Sequence, residues 1–170
     1  MALIPEDRKT EGLMLPMSVG ANLSFAGLAR MSRGGVIDRS AERGAIDEMI
    51  RLLAIRTAGT EVAVGALSGG NQQKVVFAKW IEAAPSLLVL DDPTRGIDIG
   101  AKREMHRIMR RLAQSGRVVL FYSSDPGEIV AVSDRIIVFV DGVLTQQLDG
   151  ETLSEHQLVT AMNTSVKPAA

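Results

Sequence analysis

The alternation of apolar and polar positions changes rhythm near residue 66. Upstream, residues 4–13 are polar, carry Pro5 and Gly12, and predict a loop. Ser18 predicts the cap of a short helix running to Leu28, with Val19, Leu23 and Phe25 turned inward. Residues 31–37 contain Ser-Arg-Gly-Gly and predict a flexible joint. Asp38 then caps a longer helix, in which Ala45, Ile46, Met49, Ile50, Leu52, Leu53 and Ile55 recur at helical spacing. These elements predict a small helical subdomain.

Downstream, short apolar runs alternate with helical patterns. Helices are expected over 69–82, 101–114 and 126–132, and strands over 87–91, 118–123 and 135–140. Asp141-Gly142 predicts a hairpin turn into a strand near 143–147. Ser154 predicts the cap of a last helix, followed by a loose tail, Val-Lys-Pro-Ala-Ala. Strands alternating with helices imply an α/β layer with a mostly parallel sheet buried on both faces. The chain divides into residues 1–66, 67–150 and 151–170 on this pattern. It has no internal repeat and no low-complexity segment.

Composition narrows the picture only a little. The 170 residues are 46% hydrophobic and 23% charged, ordinary for a globular domain with a sizeable core. A net charge of -1 gives no basic field for nucleic acid. With 0 cysteines there are no disulfides or thiolate metal sites. The first ten residues are charged by position 6 and lack the apolar run of a leader peptide. Apolar runs such as residues 136–140 fall far short of the roughly twenty residues that span a bilayer.

Two motifs carry chemistry. Leu87-Leu88-Val89-Leu90-Asp91-Asp92 is an apolar strand ending in acids, which places carboxylates at a strand's C-terminal edge, where α/β ligands sit. In P-loop NTPases such an Asp holds Mg²⁺, and the residue after it can face an attacking water. Two acids can equally close a buried strand and open a turn. Leu67-Ser68-Gly69-Gly70-Asn71-Gln72-Gln73-Lys74 begins with glycines that let backbone approach a phosphate, followed by a helix with free N–H groups. Alone, Ser-Gly-Gly also reads as an ordinary helix-capping turn.

The two together, followed by Gly96-Ile97-Asp98, resemble the ATP-binding cassette (ABC) ATPases. Leu67-Ser68-Gly69-Gly70-Asn71 looks like their signature motif, residues 87–91 like their Walker B strand, and residues 95–98 like their D-loop. The segments IPEDRK, SVGANLS, LSGGNQQKVVFAKW, DDPTRGIDIGAKRE and SDRIIVFVDG resemble the second cassette of carbohydrate importers whose two cassettes share one chain. The resemblance covers roughly residues 3 to 150.

It implies roles by position. Glu6 stands where a Q-loop Gln senses the metal and γ-phosphate. Asp91 aligns with the Mg²⁺ ligand and Asp92 with the catalytic Glu, one methylene shorter. A misplacement of about 1 Å can lower a rate by up to roughly 100-fold. Ser124 occupies the switch position, where most cassettes have His. A serine there can hydrogen-bond but carries no charge near neutral pH. Leu67, Ser68, Gly69, Gly70, Asn71, Gln72 and Asp98 are expected to bind nucleotide, with Ser68, Gly69 and Gly70 contacting nucleotide held by a different cassette. His106 and His156 match no motif and are expected on the surface.

One expected motif is absent from the sequence. A P-loop needs G-x-x-x-x-G-K-[ST], and none of Lys9, Lys74, Lys79, Lys102 and Lys167 follows a glycine. The fold expected from the resemblance is therefore a P-loop NTPase-like ABC cassette without its N-terminal P-loop part. Its expected function is the ATP-binding and hydrolysing component of a carbohydrate ABC importer, with ATP and Mg²⁺ as cofactors, needing complementing sequence. The chain alone is expected to be inactive. The alternative is a non-catalytic truncated cassette that supplies its signature motif to a partner ATPase. Expected partners are another cassette in a head-to-tail pair, transmembrane permease subunits and, indirectly, a periplasmic or extracellular sugar-binding protein. The expected place is the cytoplasmic face of the plasma membrane, peripherally. DNA-handling ABC ATPases share the signature and Walker B but carry long coiled-coil heptads, which this chain lacks.

Overall fold

A three-residue strand, β1 (Ala2–Ile4), begins the computed structural model, which describes residues 1–149 and 153–163. A π-helical turn, Arg8–Gly12, follows; the Asp7 carboxylate accepts hydrogen bonds from the Lys9 and Thr10 N–H groups and starts it. Next come α1 (Val19–Ser24), β2 (Ser32–Arg33), β3 (Val36–Ile37) and α2 (Arg39–Leu52). Then come α3 (Gly69–Glu82), β4 (Leu87–Asp91), α4 (Ile99–Gln114) and β5 (Val118–Tyr122). The last elements are α5 (Pro126–Val132), β6 (Arg135–Val140), β7 (Val143–Asp149) and α6 (Glu155–Asn163). Two compact units result, residues 1–121 and 122–170.

In the first unit, α3 is the central helix, in contact with β1, α1, α2 and α4. Gln72 to Ile81 are buried on it with a single half-buried break, Trp80. Such all-round burial explains its modest amphipathicity in sequence. Three helices start on side-chain caps: Ser18 Oγ accepts from Ala21 N, Asp38 Oδ1 from Ser40 N and Ala41 N, and Asp98 Oδ1 from Ala101 N. Each cap satisfies helix-end donors that lack intrahelical partners. β1 lies parallel to β4, with Ile4 opposite Leu90, and the sheet order is β1-β4-β5.

Several expectations change. Residues 4–13 are not simply loop: Ile4 completes a strand whose partner lies more than eighty residues away, and residues 8–12 form the π-helical turn. The helix after Ser18 ends at Ser24 and tightens into a 3₁₀ turn, Phe25–Gly27. That change of winding turns Phe25 outward, 55% exposed, instead of inward. Leu52, in the last turn of α2, also faces outward. The expected joint at 31–37 is a small antiparallel hairpin, its turn made by Gly34 and Gly35 at φ 57° and 80°. The sheet is not buried on both faces: Ala2, Ile4, Leu88 and Leu90 are buried, whereas Leu3, Val118 and Leu120 are 54%, 61% and 51% exposed. That second face is at most partly covered, with Val89 opposite Leu3 half-buried.

The second unit is a β6–β7 hairpin with α5 and α6. Asp141 and Gly142, at φ 51° and 77°, make the expected turn. β7 runs to Asp149, two residues past the expected end. Ile136 and Val138 of β6 bury against Leu158 and Ala161 of α6. Ser154 and Gln157 bond reciprocally, Gln157 N to Ser154 Oγ and Ser154 N to Gln157 Oε1, a capping box at the start of α6. The expected loose tail, residues 166–170, lies outside the described residues.

Candidate functional site

Ser68 is the residue before α3, with extended backbone at φ −62° and ψ 155°. Its side chain caps no helix N–H. Instead its hydroxyl accepts from Asn71 Nδ2 at 2.9 Å, while Asn71 Oδ1 accepts from Arg56 N at 2.8 Å. The start of a 14-residue helix is thus left without a side-chain cap, at the positive end of its dipole. Asn71 and Gln72, read from sequence as nucleotide contacts, both hold protein. Gln72 is buried, and its Nε2 donates to the Val64 and Gly65 carbonyls at 3.4 Å. Leu67 is half-buried, its N–H bonded to Val64 O.

Gly70 is required by a fixed neighbour, whereas Gly69 leaves room for the end of a flexible side chain. A Cβ on Gly70 would lie 2.7 Å from the Ala101 Cβ of α4, and one on Gly69 would lie 2.8 Å from Arg8 Nη2 and 3.7 Å from Gly96 O. The start of α3 therefore abuts the 96–101 turn, where Gly96 takes φ 66° and Asp98 caps α4.

At the end of β4 the two acids part. Asp91 is exposed; Asp92 is 5% exposed and sits at φ 40°. Asp is among the residues that enter this left-handed region most readily. The Asp92 carbonyl accepts from Arg95 N at 3.1 Å, closing a tight turn with Thr94 buried. The β1–β4 register puts Glu6 and Asp92 each two residues beyond the Ile4–Leu90 pair, so both leave the same sheet edge. There Glu6 forms an ion pair with the Arg95 guanidinium. For Mg²⁺, which is usually held by one or two carboxylates together with substrate phosphates, exposed Asp91 is a fitting donor. Glu6 fits only after leaving Arg95. Among the described residues no three His, Cys, Asp or Glu side chains converge as a metal site.

Ser124, in the second unit, is exposed. Its neighbours are fixed by a residue the sequence reading missed. Ser123 is buried and donates to Glu128 Oε2 at 2.6 Å; Asp125 N donates to Ser123 Oγ, and Glu128 N to Asp125 Oδ1. The available signal was Asp125-x-x-Glu128, the spacing of a capping box. His106 is half-buried on α4 and His156 exposed on α6.

Titration is perturbed at several groups of the first unit. Hydrogen bonds from the Lys9 and Thr10 segment hold the Asp7 carboxyl below its usual range. Burial lowers the Lys79 amine; it donates to Gly12 O and lies 5.3 Å from the Trp80 ring centre, tying α3 to the 8–12 turn. Burial raises the Glu82 carboxyl at the other end of α3.

No protein-family model matches the chain. The ribose import ATP-binding protein RbsA 1 of Mesorhizobium japonicum is 57% identical over 161 residues, 95% of this chain but 31% of that protein. RbsA of Shouchella clausii is 43% identical over 94% of the chain and 32% of its own length. The chain thus spans about a third of the length of the relatives it matches. Among solved structures, an ABC transporter in an inward-facing conformation aligns with TM-score 0.75 at 18% identity, covering 94% of this chain and 62% of that one. A dimeric ATP-binding cassette in a post-hydrolysis state, bound to ADP and Pi, aligns with TM-score 0.73 at 19% identity, covering 89% and 63%. The fold is that of part of an ABC ATPase, and over nearly its whole length the chain is homologous to about a third of the ATP-binding proteins of ribose import.

Proposed function

We propose that the chain is part of the ATP-binding and hydrolysing component of a carbohydrate ABC importer, working with complementing sequence that supplies a P-loop. The observation that carries this reading is the uncapped Ser68-Gly69-Gly70 start of α3, packed against the 96–101 turn. Backbone N–H groups at a helix start, beside a serine hydroxyl, suit the γ-phosphate of ATP bound on a partner cassette. On the chain's own side, Asp91 would hold Mg²⁺ and Asp92 would orient or deprotonate the attacking water. The ion neutralises phosphate charge when bound. Glu6, released from Arg95, would join that edge, and Ser124 would hydrogen-bond phosphate. The exposed face of Leu3, Val118 and Leu120 supports a need for further sequence to complete the sheet layer.

Partners on this reading are a second cassette, permease subunits at the cytoplasmic face of the plasma membrane and, indirectly, a sugar-binding protein. Among the described residues no helix is long and apolar enough to cross a membrane, so attachment there would be through the permease. The missing G-x-x-x-x-G-K-[ST] favours a second reading, in which the chain only supplies its signature turn and hydrolyses nothing itself.

Mixing experiments separate the readings. The chain alone should not turn over ATP; with a cassette carrying an intact P-loop it should, and Ser68→Arg should abolish that turnover. Asp92→Asn, made by itself, should lower the turnover of the mixture if the chain's own acids work, and leave it unchanged if only the signature turn does. Turnover by the chain alone contradicts both.

A further inference from the structure

We infer that Arg8 is a positioning residue that holds the 92–96 turn and the start of α3 in one fixed arrangement. The inference deepens the function proposed above and rests on it for its catalytic consequence. Three observations converge on this side chain. Arg8 Nη1 donates to the Arg95 carbonyl at 3.2 Å. Arg8 Nη2 fills the space that a Cβ on Gly69 would need, 2.8 Å away, and Nη1 lies 4.0 Å from where a Cβ on Gly96 would stand. Two residues earlier, Glu6 pairs with the Arg95 side chain, so one short segment grips Arg95 by both its backbone and its guanidinium.

The chemistry explains why the residue is an arginine. The guanidinium is planar and presents donors on a rigid fork, so one nitrogen can bond a turn carbonyl while the other lies flat against a helix start. A lysine has one point charge on a flexible stem and can make the first contact without filling the second. The arrangement has a cost: Arg8 Nε is shielded from solvent with no hydrogen-bond partner. It also sets a cation beside the positive end of α3, which local electrostatics disfavours. A group held against both costs is held by its neighbours. The segment after β1, the turn after β4 and the first turn of α3 therefore move together or not at all. Glycine at 69 is, on this reading, the space for Arg8 as well as for a ligand.

Hydrogen exchange on the whole chain tests this without any turnover. Arg8→Ala should raise exchange about tenfold at the Arg95 and Gln72 amides, which bond Asp92 O and Ser68 O, while the β6–β7 hairpin stays unchanged. Arg8→Lys should recover protection at Arg95 but not at Gln72. Gly69→Ala should reproduce the Arg8→Ala pattern by displacing the guanidinium, and the double variant should be no worse than either single one. Unchanged exchange at both amides, or effects that simply add, overturns the inference. A uniform rise across the chain marks a general loss of stability and overturns it too.

In the mixed assembly, Arg8→Ala should lower kcat about tenfold and move KM for ATP less than threefold, because the partner's P-loop grips the nucleotide. Loss confined to KM contradicts the positioning role. Absence of turnover in the wild-type mixture sinks the proposed function and leaves the exchange result to decide Arg8.

Discussion

Gly70→Ala adds one methyl where the structure has least room for it. The new Cβ would stand 2.7 Å from the Ala101 Cβ, and that neighbour is fixed directly to the α4 backbone. Carbon–carbon contacts are comfortable near about 3.5–4.0 Å, so α3 and α4 must part by roughly an ångström at this point. Overpacking of this kind costs about 1–3 kcal/mol. Against it stands the helix preference of Ala over Gly, about 1 kcal/mol in a helix interior and less in a first turn. The net loss is about 1–2 kcal/mol, which lowers a melting midpoint by roughly 2–8 °C in a chain of this size. Trp80 is the single tryptophan and lies on α3, so its fluorescence reports the unit that contains the contact. That matters because two compact units need not melt together. Ala101→Gly in the same chain removes the colliding methyl and should bring the midpoint back up from that of Gly70→Ala alone. An unchanged or raised midpoint for Gly70→Ala would refute the reasoning, as would a double variant that melts below both single ones.

Two further outcomes are expected. Burial lowers the Lys79 amine from its ordinary 10.5, so the unfolded chain binds that proton more tightly than the folded one. Its contribution to stability therefore rises with pH, from the lowered folded-state value up to the ordinary one. Wild type should gain stability with rising pH over that window relative to Lys79→Met, measured by urea midpoints; parallel pH profiles contradict it. Glu128→Ala should cost about 1–3 kcal/mol, because it leaves the buried Ser123 hydroxyl proton without its acceptor, and Glu128→Gln, which keeps an acceptor, clearly less. Equal losses from the two, read as exchange at the Asp125 and Ile129 amides, argue against that hydrogen bond.

Legibility in the sequence followed the range of the interaction. α3, β4, α5 and β6 have the bounds their patterns predict, since their signals are local: Ser68-Gly69, the run ending at Asp91, Asp125-Pro126, and the Asp141-Gly142 turn. β1 escaped because three residues carry no period, and only β4 makes them a strand. Phe25 escaped because a shift from α to 3₁₀ winding changes which way a side chain points, and apolar character alone does not report that. Burial of the sheet on both faces was inferred from apolar runs, but β5 alternates half-buried and exposed positions. At the site, the residue types were readable and their partners were not. Nothing in the spacing of Glu6, Arg8, Gly69 and Arg95 reveals that they meet, since each contact joins segments about sixty to ninety residues apart.

The sharpest consequence concerns the acids. From sequence, Asp91 and Asp92 look like adjacent members of one carboxylate edge, and Asp92 looks deficient only in reach. The backbone places them differently: alternation along β4 leaves Asp91 exposed and Asp92 on the side of buried Leu88 and Leu90, and the chain turns at Asp92 with a left-handed φ. Left-handed backbone is several-fold enriched in Asp over most residues, Glu included. The shorter side chain is therefore also the one that suits this turn. The turn in turn sets Arg95, through the Asp92 carbonyl, where Glu6 and Arg8 grip it. Residue 92 thus answers to two demands, the reach of a carboxylate and the geometry of a turn that three other residues depend on. Lengthening the arm alone leaves the second demand unmet, so the reach of Asp92 cannot be judged from its side chain apart from the backbone that carries it.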